Sequence, residues 1–212
     1  MSVRGARRGR WWLWGGLALL VVLLAVVAAI VVPILTHESA GVSHQQDSGE
    51  EWATSVSAVG DDGRTRTVTL RAESGGEVDP AALAVGDRVV VHGTGFDPAR
   101  GIYVAVCVVP ASPEEKPGPC VGGAPQQSQD PEEHAGEIQW APSTWVNDDW
   151  AWRLFGARSY DDGAGSFTAY LELADPAEVD CATQQCAIVT RNDHTAAEDR
   201  VQDVYLPIRI QS

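Results

Sequence analysis

The side chains in this 212-residue chain with chemistry to offer are few: four cysteines, five histidines, four tyrosines and an acidic run near the C-terminal end. The cysteines are Cys107, Cys120, Cys181 and Cys186, spaced C-x₁₂-C and C-x₄-C. Zinc sites favour C-x₂₋₄-C pairs matched by a second such pair or by histidines, and only His194 lies near either pair. Thiol redox chemistry favours C-x-x-C at a helix start, which neither pair has. An even cysteine count is what structural disulfides require. Three connectivities are open. The sequential one is favoured, because each pair sits in its own strand–turn–strand context. In the chain-entropy picture the short loop would be worth about 2 kcal/mol and the longer one about 3 kcal/mol.

"RNDHTAAEDR", residues 191–200, gathers Asp193, His194, Glu198 and Asp199. It could hold a base or a metal, or be a solvated loop before the last strand. Tyr103, Tyr160, Tyr170 and Tyr205 could ligate haem together with a histidine, although no spacing selects a pair. There is no G-x-S-x-G, H-E-x-x-H, phosphate-binding loop or calcium loop. The expectation is a chain with no catalytic residue, no metal and no cofactor.

"WAPSTWVNDDWAW" places Trp140, Trp145, Trp150 and Trp152 within thirteen residues. They fall in an insert, residues 125–164, with weak strand signals. Loops of this length are functional or disordered, and four indoles argue against disorder. Tryptophan is enriched where binding energy concentrates, and a small core needs only one or two such rings. These four are the candidate ligand- or partner-binding surface, with Asp148, Asp149, Asp161 and Asp162 as a polar rim. The competing reading has them covering an open side of the fold. Under the binding reading at least two rings are solvent-accessible.

The elements that hold these residues begin with an apolar run. Arg4, Arg7, Arg8 and Arg10 precede Trp11–Leu35, 25 residues without a charge. About 20 apolar residues span a bilayer as helix, whereas a signal peptide carries an apolar region of roughly 7–15 residues before a small-x-small site. An uncleaved anchor is expected, with residues 1–10 cytoplasmic, since basic flanks stay inside. Trp11, Trp12 and Trp14 would sit at that interface. All 29 acidic and 11 of the 15 basic residues lie beyond residue 35, a balance of 11 − 29 = −18. That charge excludes nucleic acid or anionic lipid held by a basic face.

Residues 36–51 are polar and aperiodic and read as a flexible stalk. From Trp52 the pattern is β throughout. "GIYVAVCVV" sets Ile102, Val104, Val106 and Val108 on one face, with Tyr103, Ala105 and Cys107 on the other. "GSFTAYLELA" and "VYLPIRI" alternate likewise, and Pro207 marks an edge strand. Seven or eight short strands over residues 52–212 predict one extracytoplasmic β-sandwich.

"LAVGDRVVVHGTGFDPARGIYVAVC", "GSFTAYLEL" and "VDCATQQCAIV" resemble, in order, the neocarzinostatin family of enediyne-antibiotic apoproteins. The likeness covers roughly residues 65–210. It rests on Val91, Gly93 and Gly95 of a V-x-G-x-G strand and on the D-C-x₄-C turn of Asp180, Cys181 and Cys186. The resemblance implies an all-β, immunoglobulin-like, seven-stranded sandwich with two local disulfides, Cys107–Cys120 and Cys181–Cys186, here preceded by one transmembrane helix. It also implies a cleft for an apolar aromatic small molecule. The ribbon that walls that cleft has only Ala174 to Val179 in its place here. The sequence therefore reads as a single-pass, membrane-anchored, non-enzymatic binding or interaction module. Its partner would be a surface protein, or an apolar small molecule if it is a carrier; a haem-related surface protein and a hydrolase using His194 are the remoter alternatives.

Overall fold

The computed structural model describes residues 6–46, 49–122, 138–175, 179, 181 and 183–211. Asp180 and residues 125–137 of the insert lie outside the described residues. Helix α1 covers Ala6–Leu35. Its Trp11–Leu35 stretch has a mean hydropathy of 3.3 and is long and apolar enough to cross a membrane. At 1.5 Å per residue it would reach about 37 Å, more than a hydrocarbon core of about 30 Å.

Residues 38–212 form their own compact unit, and it is mostly β. One antiparallel sheet has the order β1 (Ser43–Gln45), β2 (Ser55–Gly60), β3 (Thr65–Ala72), β5 (Arg88–Thr94), β8 (Phe167–Glu172). A second antiparallel sheet has the order β10 (Val204–Ile208), β9 (Cys186–Asn192), β6 (Ile102–Val108), β7 (Ser143–Val146). Two short strands, β4 (Leu83–Ala84) and β11 (Ile210–Gln211), pair in parallel.

The alternation in the sequence becomes the inner faces. Val68, Leu70, Val89, Val91, Phe167, Ala169 and Leu171 of the first sheet share one core with Ile102, Val104, Val106, Ile188, Val204 and Leu206 of the second. Each large aliphatic side chain buried this way contributes about 1.5–3 kcal/mol. Gly93 is required by that core. The Phe167 ring lies across it, and a Cβ there would stand 2.1 Å from a ring carbon. One inward position of β3 is charged: Arg66 is fully buried and forms a bidentate pair with Asp62, at 3.0 and 2.5 Å.

Cys107 bonds to Cys120 and Cys181 to Cys186, with no free cysteine. The sequential pairing holds, and the cysteines are closed to zinc.

Two segments depart from expectation. The segment read as a stalk contributes β1, which pairs with β2, so order begins well before Trp52. Gln45 explains why. Its side-chain amide donates to the Tyr205 carbonyl (2.6 Å) and accepts from the Tyr205 N–H (3.1 Å), filling the open ladder of the edge strand β10. Pro207 lies on that same edge strand, as its ring suggested. The other departure is the insert. Its described part, from residue 138, supplies β7, a further strand on the β6 edge, and the one-turn helix α2 (Trp150–Arg153).

Candidate functional site

β6 carries Tyr103 on its outward side. The register sets it directly between Trp145 of β7 and Arg191 of β9. The Tyr103 and Trp145 rings are 6.0 Å apart, and the Arg191 guanidinium lies 5.6 Å from the Tyr103 ring. Both β7 and β9 run antiparallel to β6, so both end beside its first residue, Ile102. The chain therefore leaves both strands at the same end of the domain. After β7, Asp149 caps α2 by accepting from the Ala151 N–H. The helix brings Trp152 to 5.9 Å from Trp145. After β9, a 3-10 turn (His194–Ala196) brings the His194 ring to 4.7 Å from Trp152 and 5.3 Å from Trp145. His194 Nδ1 and the Tyr103 hydroxyl are 2.8 Å apart. Phe155 extends the cluster from Trp152, at 6.3 Å.

A buried carboxylate fixes this arrangement. Asp193 is 1% exposed. One of its oxygens accepts from the Trp145 indole N–H and the Asn147 amide, each at 2.8 Å. The other accepts from the Thr195 N–H (2.8 Å) and hydroxyl (2.5 Å). Four donors from β7 and the neighbouring turns offset the cost of burying the carboxylate. They also lock the Trp145 ring, because its N–H has one destination. Gly101 makes room for this: a Cβ there would stand 1.9 Å from the Asp193 oxygen.

Asp193 thus orients an indole and not an imidazole, so Asp193 and His194 do not form an acid–base dyad. Of the other acids in that run, Asp199 is buried and accepts from the backbone of Ala40 and Val201, and Glu198 is exposed. Tyr103 and His194 are the tyrosine–histidine pair that spacing could not select. Burial, reinforced by the Asp193 charge, pushes the Tyr103 hydroxyl up. That disfavours the phenolate a haem iron would take. Tyr160 donates to the Arg100 carbonyl, Tyr170 packs on Trp140, and Tyr205 lies 3.4 Å from Asp203. Among the described residues no group of three His, Cys, Asp or Glu converges as metal ligands.

The four tryptophans divide. Trp145 and Trp152 belong to the cluster. Trp140 lies on the opposite sheet, 5.4 Å from the Tyr170 ring and under the Arg88 guanidinium, also at 5.4 Å. Trp150 is 66% exposed on α2, beside Leu154 at 71% and Phe155 at 58%. Of the expected rim, Asp148 and Asp149 flank α2. Asp161 and Asp162 bond instead to Thr168 and to turn amides before β8. Sequence reasoning did not join Tyr103, Arg191, Phe155 and His194 to the tryptophans. Tyr103's outward alternation was the available signal; the strand register that pairs it with Trp145 was not.

No family profile, no curated protein and no solved structure matches this chain.

Proposed function

We propose that this protein is a single-pass, membrane-anchored recognition module, outside the membrane and non-enzymatic. Its contact surface is the Tyr103–Trp145–Trp152–His194 cluster, and its partner is another surface protein. The observation that carries this is the Asp193 clamp. A buried carboxylate holds an indole on the outer face of a sheet whose inner face already fills the core. Four basic residues precede α1's apolar stretch and none follows it until Arg64, apart from histidines, which favours a cytoplasmic N-terminus. Two disulfides suit an oxidising compartment beyond the membrane.

The strand order supports kinship with the neocarzinostatin family. β3-β5-β8 beside β10-β9-β6-β7 matches the A-B-E and G-F-C-C′ order of immunoglobulin-like domains. In this reading β7, drawn from the Trp-rich insert, takes the C′ place, and β1–β2 extend the first sheet. The carrier role fits less well. Neighbouring rings in the cluster stand at 4.7–6.3 Å, so they fill space against one another and leave no slot between them.

A photo-crosslinking residue placed at Trp152 in intact cells should yield a discrete adduct, and the same residue at Thr168 on the opposite sheet should yield none. Equal adducts at both positions, or none at Trp152, would remove this surface from the proposal.

A further inference from the structure

Outside α1, the exposed large hydrophobic side chains among the described residues are Val85, Ile138, Trp150, Leu154 and Phe155. Three of the five fall within six residues, on α2 and the turn that ends it. Grouped exposure of this kind marks a contact surface, whereas single exposed apolar residues need no explanation. These three are outside the Asp193 clamp. Trp150 makes no ring contact with the cluster, and only Phe155 touches it, through Trp152.

Their place in the domain matters more than their composition. The polypeptide enters the domain at Ala40–Val42. Ala40 N–H donates to the Asp199 side chain (3.1 Å), and Val42 bridges Arg200. Asp199 N–H in turn donates to the Ala196 carbonyl (3.0 Å), in the 3-10 turn whose His194 packs on Trp152. The entry point and the α2 tip are therefore at one end of the domain. Four residues, Thr36 to Ser39, separate the last residue of α1 from Ala40. Five steps of extended chain reach at most about 18 Å. If α1 spans a bilayer, the end of the domain that carries Trp150, Leu154 and Phe155 is the end tethered beside the lipid.

We infer that Trp150, Leu154 and Phe155 form a membrane-docking tip that seats the domain in the interfacial layer of the bilayer holding its own anchor. This rests on the reading of α1 as an anchor. Tryptophan favours the headgroup region, and Leu and Phe favour the acyl boundary beneath it. The polar groups nearest the tip set its depth: the exposed carboxylates Asp148 and Asp149 must stay at headgroup level. Asp149 accepts from Ala151 N–H and Asp148 from Tyr160 N–H, and Arg153, in the last turn of α2, can meet lipid phosphate. The −18 balance beyond residue 35 means that charge does not draw the domain to anionic lipid. Apolar insertion does, so docking should be nearly insensitive to salt. A docked tip would fix the orientation of the Trp145–Trp152 face relative to the membrane, which a free tether would not.

The test uses the full chain reconstituted in phosphatidylcholine vesicles, carrying Leu154→Cys labelled with an environment-sensitive fluorophore. A second chain carries the label at Ser74→Cys. Ser74 lies in the turn at the far end of β3, away from the entry point. The expected result is blue-shifted emission and several-fold slower quenching by an aqueous reductant for the label at 154, and free quenching at 74. Adding Trp150→Asp and Phe155→Asp should return the label at 154 to free quenching, and neither site is buried enough for the fold to depend on it. Equal quenching at the two positions overturns the inference. So does protection at 154 that persists in detergent and grows with protein concentration, which would make the occupant a second copy of the chain. Alkaline carbonate extraction is scored separately: release of the chain from the vesicles means the anchor reading has failed, whatever the label reports.

Discussion

The two sheets turn different outer faces to their surroundings. On the five-stranded sheet the outward side chains are mostly hydroxyls and charges, with Val59, Val90 and Tyr170 among them. Ser55 pairs with Thr69 (3.1 Å), Ser57 with Thr67 (2.8 Å), and Arg88 with Glu172 (2.9 Å). These groups meet cross-strand neighbours. On the four-stranded sheet the outward side chains are mostly apolar and aromatic, with Ser143 and Arg191 among them. Ala105, Cys107, Ala187 and Val189 are buried under Val109, Cys120 and Tyr205, so the first disulfide loop covers half of that face. The other half carries Tyr103 and Trp145. A face that only needed to meet water would look like the first. The second is built to be covered, in part by its own chain and in part by something else. Trp140 sharpens the contrast, because on the polar face an indole is accommodated by Arg88 and Tyr170 and not by a buried carboxylate.

The largest effect should come from removing the clamp. Asp193→Ala strips the acceptor from Trp145, Asn147 and Thr195 at once. Leaving several buried donors unpaired should cost about 3–5 kcal/mol. The denaturation midpoint of the domain should fall at an unchanged m-value. A loss under about 1 kcal/mol would mean the aromatic face stands without its carboxylate, and the contrast between faces would lose its cause.

The sheets also differ in the aspartates that pair with their buried arginines, and pH separates them. Burial pushes the Asp62 carboxyl up, but the Arg66 guanidinium, the Arg64 N–H and the charge of Arg64 together outweigh it, and the net shift is downward. Asp203 meets Arg200 at 3.1 Å, both nearly fully buried, and its Oδ1 has no hydrogen-bond partner among the described residues. There burial prevails over Arg200, Tyr205 and Arg191 and, helped by Asp199, pushes the carboxyl up to about 7. Linkage sets the signs. Asp62 contributes stability above its unfolded value, near 4, and that contribution is lost as pH falls below it. Asp203 binds its proton more tightly when folded, so its contribution is present at low pH and is lost as pH rises from about 4 toward 7. Between about pH 7.5 and 5.5 the Asp203 effect alone should stabilise the domain by about 2 kcal/mol. Thermal melts should show the midpoint rising on acidification, and Asp203→Asn should flatten that slope. A slope unchanged by the substitution would remove Asp203 as its cause.

Much of this fold was legible because alternation is a local signal. Val68 and Leu70, or Ile102, Val104 and Val106, announce an inner face without reference to any other strand. The disulfide pairing was legible for the same reason: each bond closes within one strand–turn–strand unit. β1 was not, because three residues of Ser, His and Gln have no apolar period; they are ordered by Gln45 meeting a strand 160 positions away. Arg66 was hidden by its type, although its alternation with Val68 places it inward. At the site, the sequence located the tryptophans but could not sort them. Trp145 and Trp140 are five positions apart and lie on opposite sheets, which only the β6–β7 register and the Ala141–Leu171 bridge determine.

That sorting can be tested with one substitution. Trp140→Ala removes a half-buried ring, its edge contact with Tyr170 and its cation–π contact with Arg88. The expected cost is about 1–2 kcal/mol. Crosslinking from position 152 should be unaffected. Loss of that adduct in a variant that still melts cooperatively would join the two faces into one surface.

The smallest effects come from deleting one hydroxyl on each face. Ser57→Ala breaks a half-buried hydroxyl pair with Thr67 on the polar face. Its effect should stay within about 0.5 kcal/mol. Tyr103→Phe breaks the bond to His194 on the aromatic face. There Trp145 and Trp152 flank the histidine ring, but the ring is exposed and water can reach the freed nitrogen, so the cost should stay at or below about 1 kcal/mol. The difference is near the resolution of paired denaturation curves, so a second readout is needed. The His194 ring should also lose its fixed orientation in the Phe variant, visible as averaging of its carbon-bound proton shifts. If both substitutions cost the same and His194 stays fixed, the ring packing alone orients the histidine, and the Tyr103 hydroxyl is as dispensable as a surface serine.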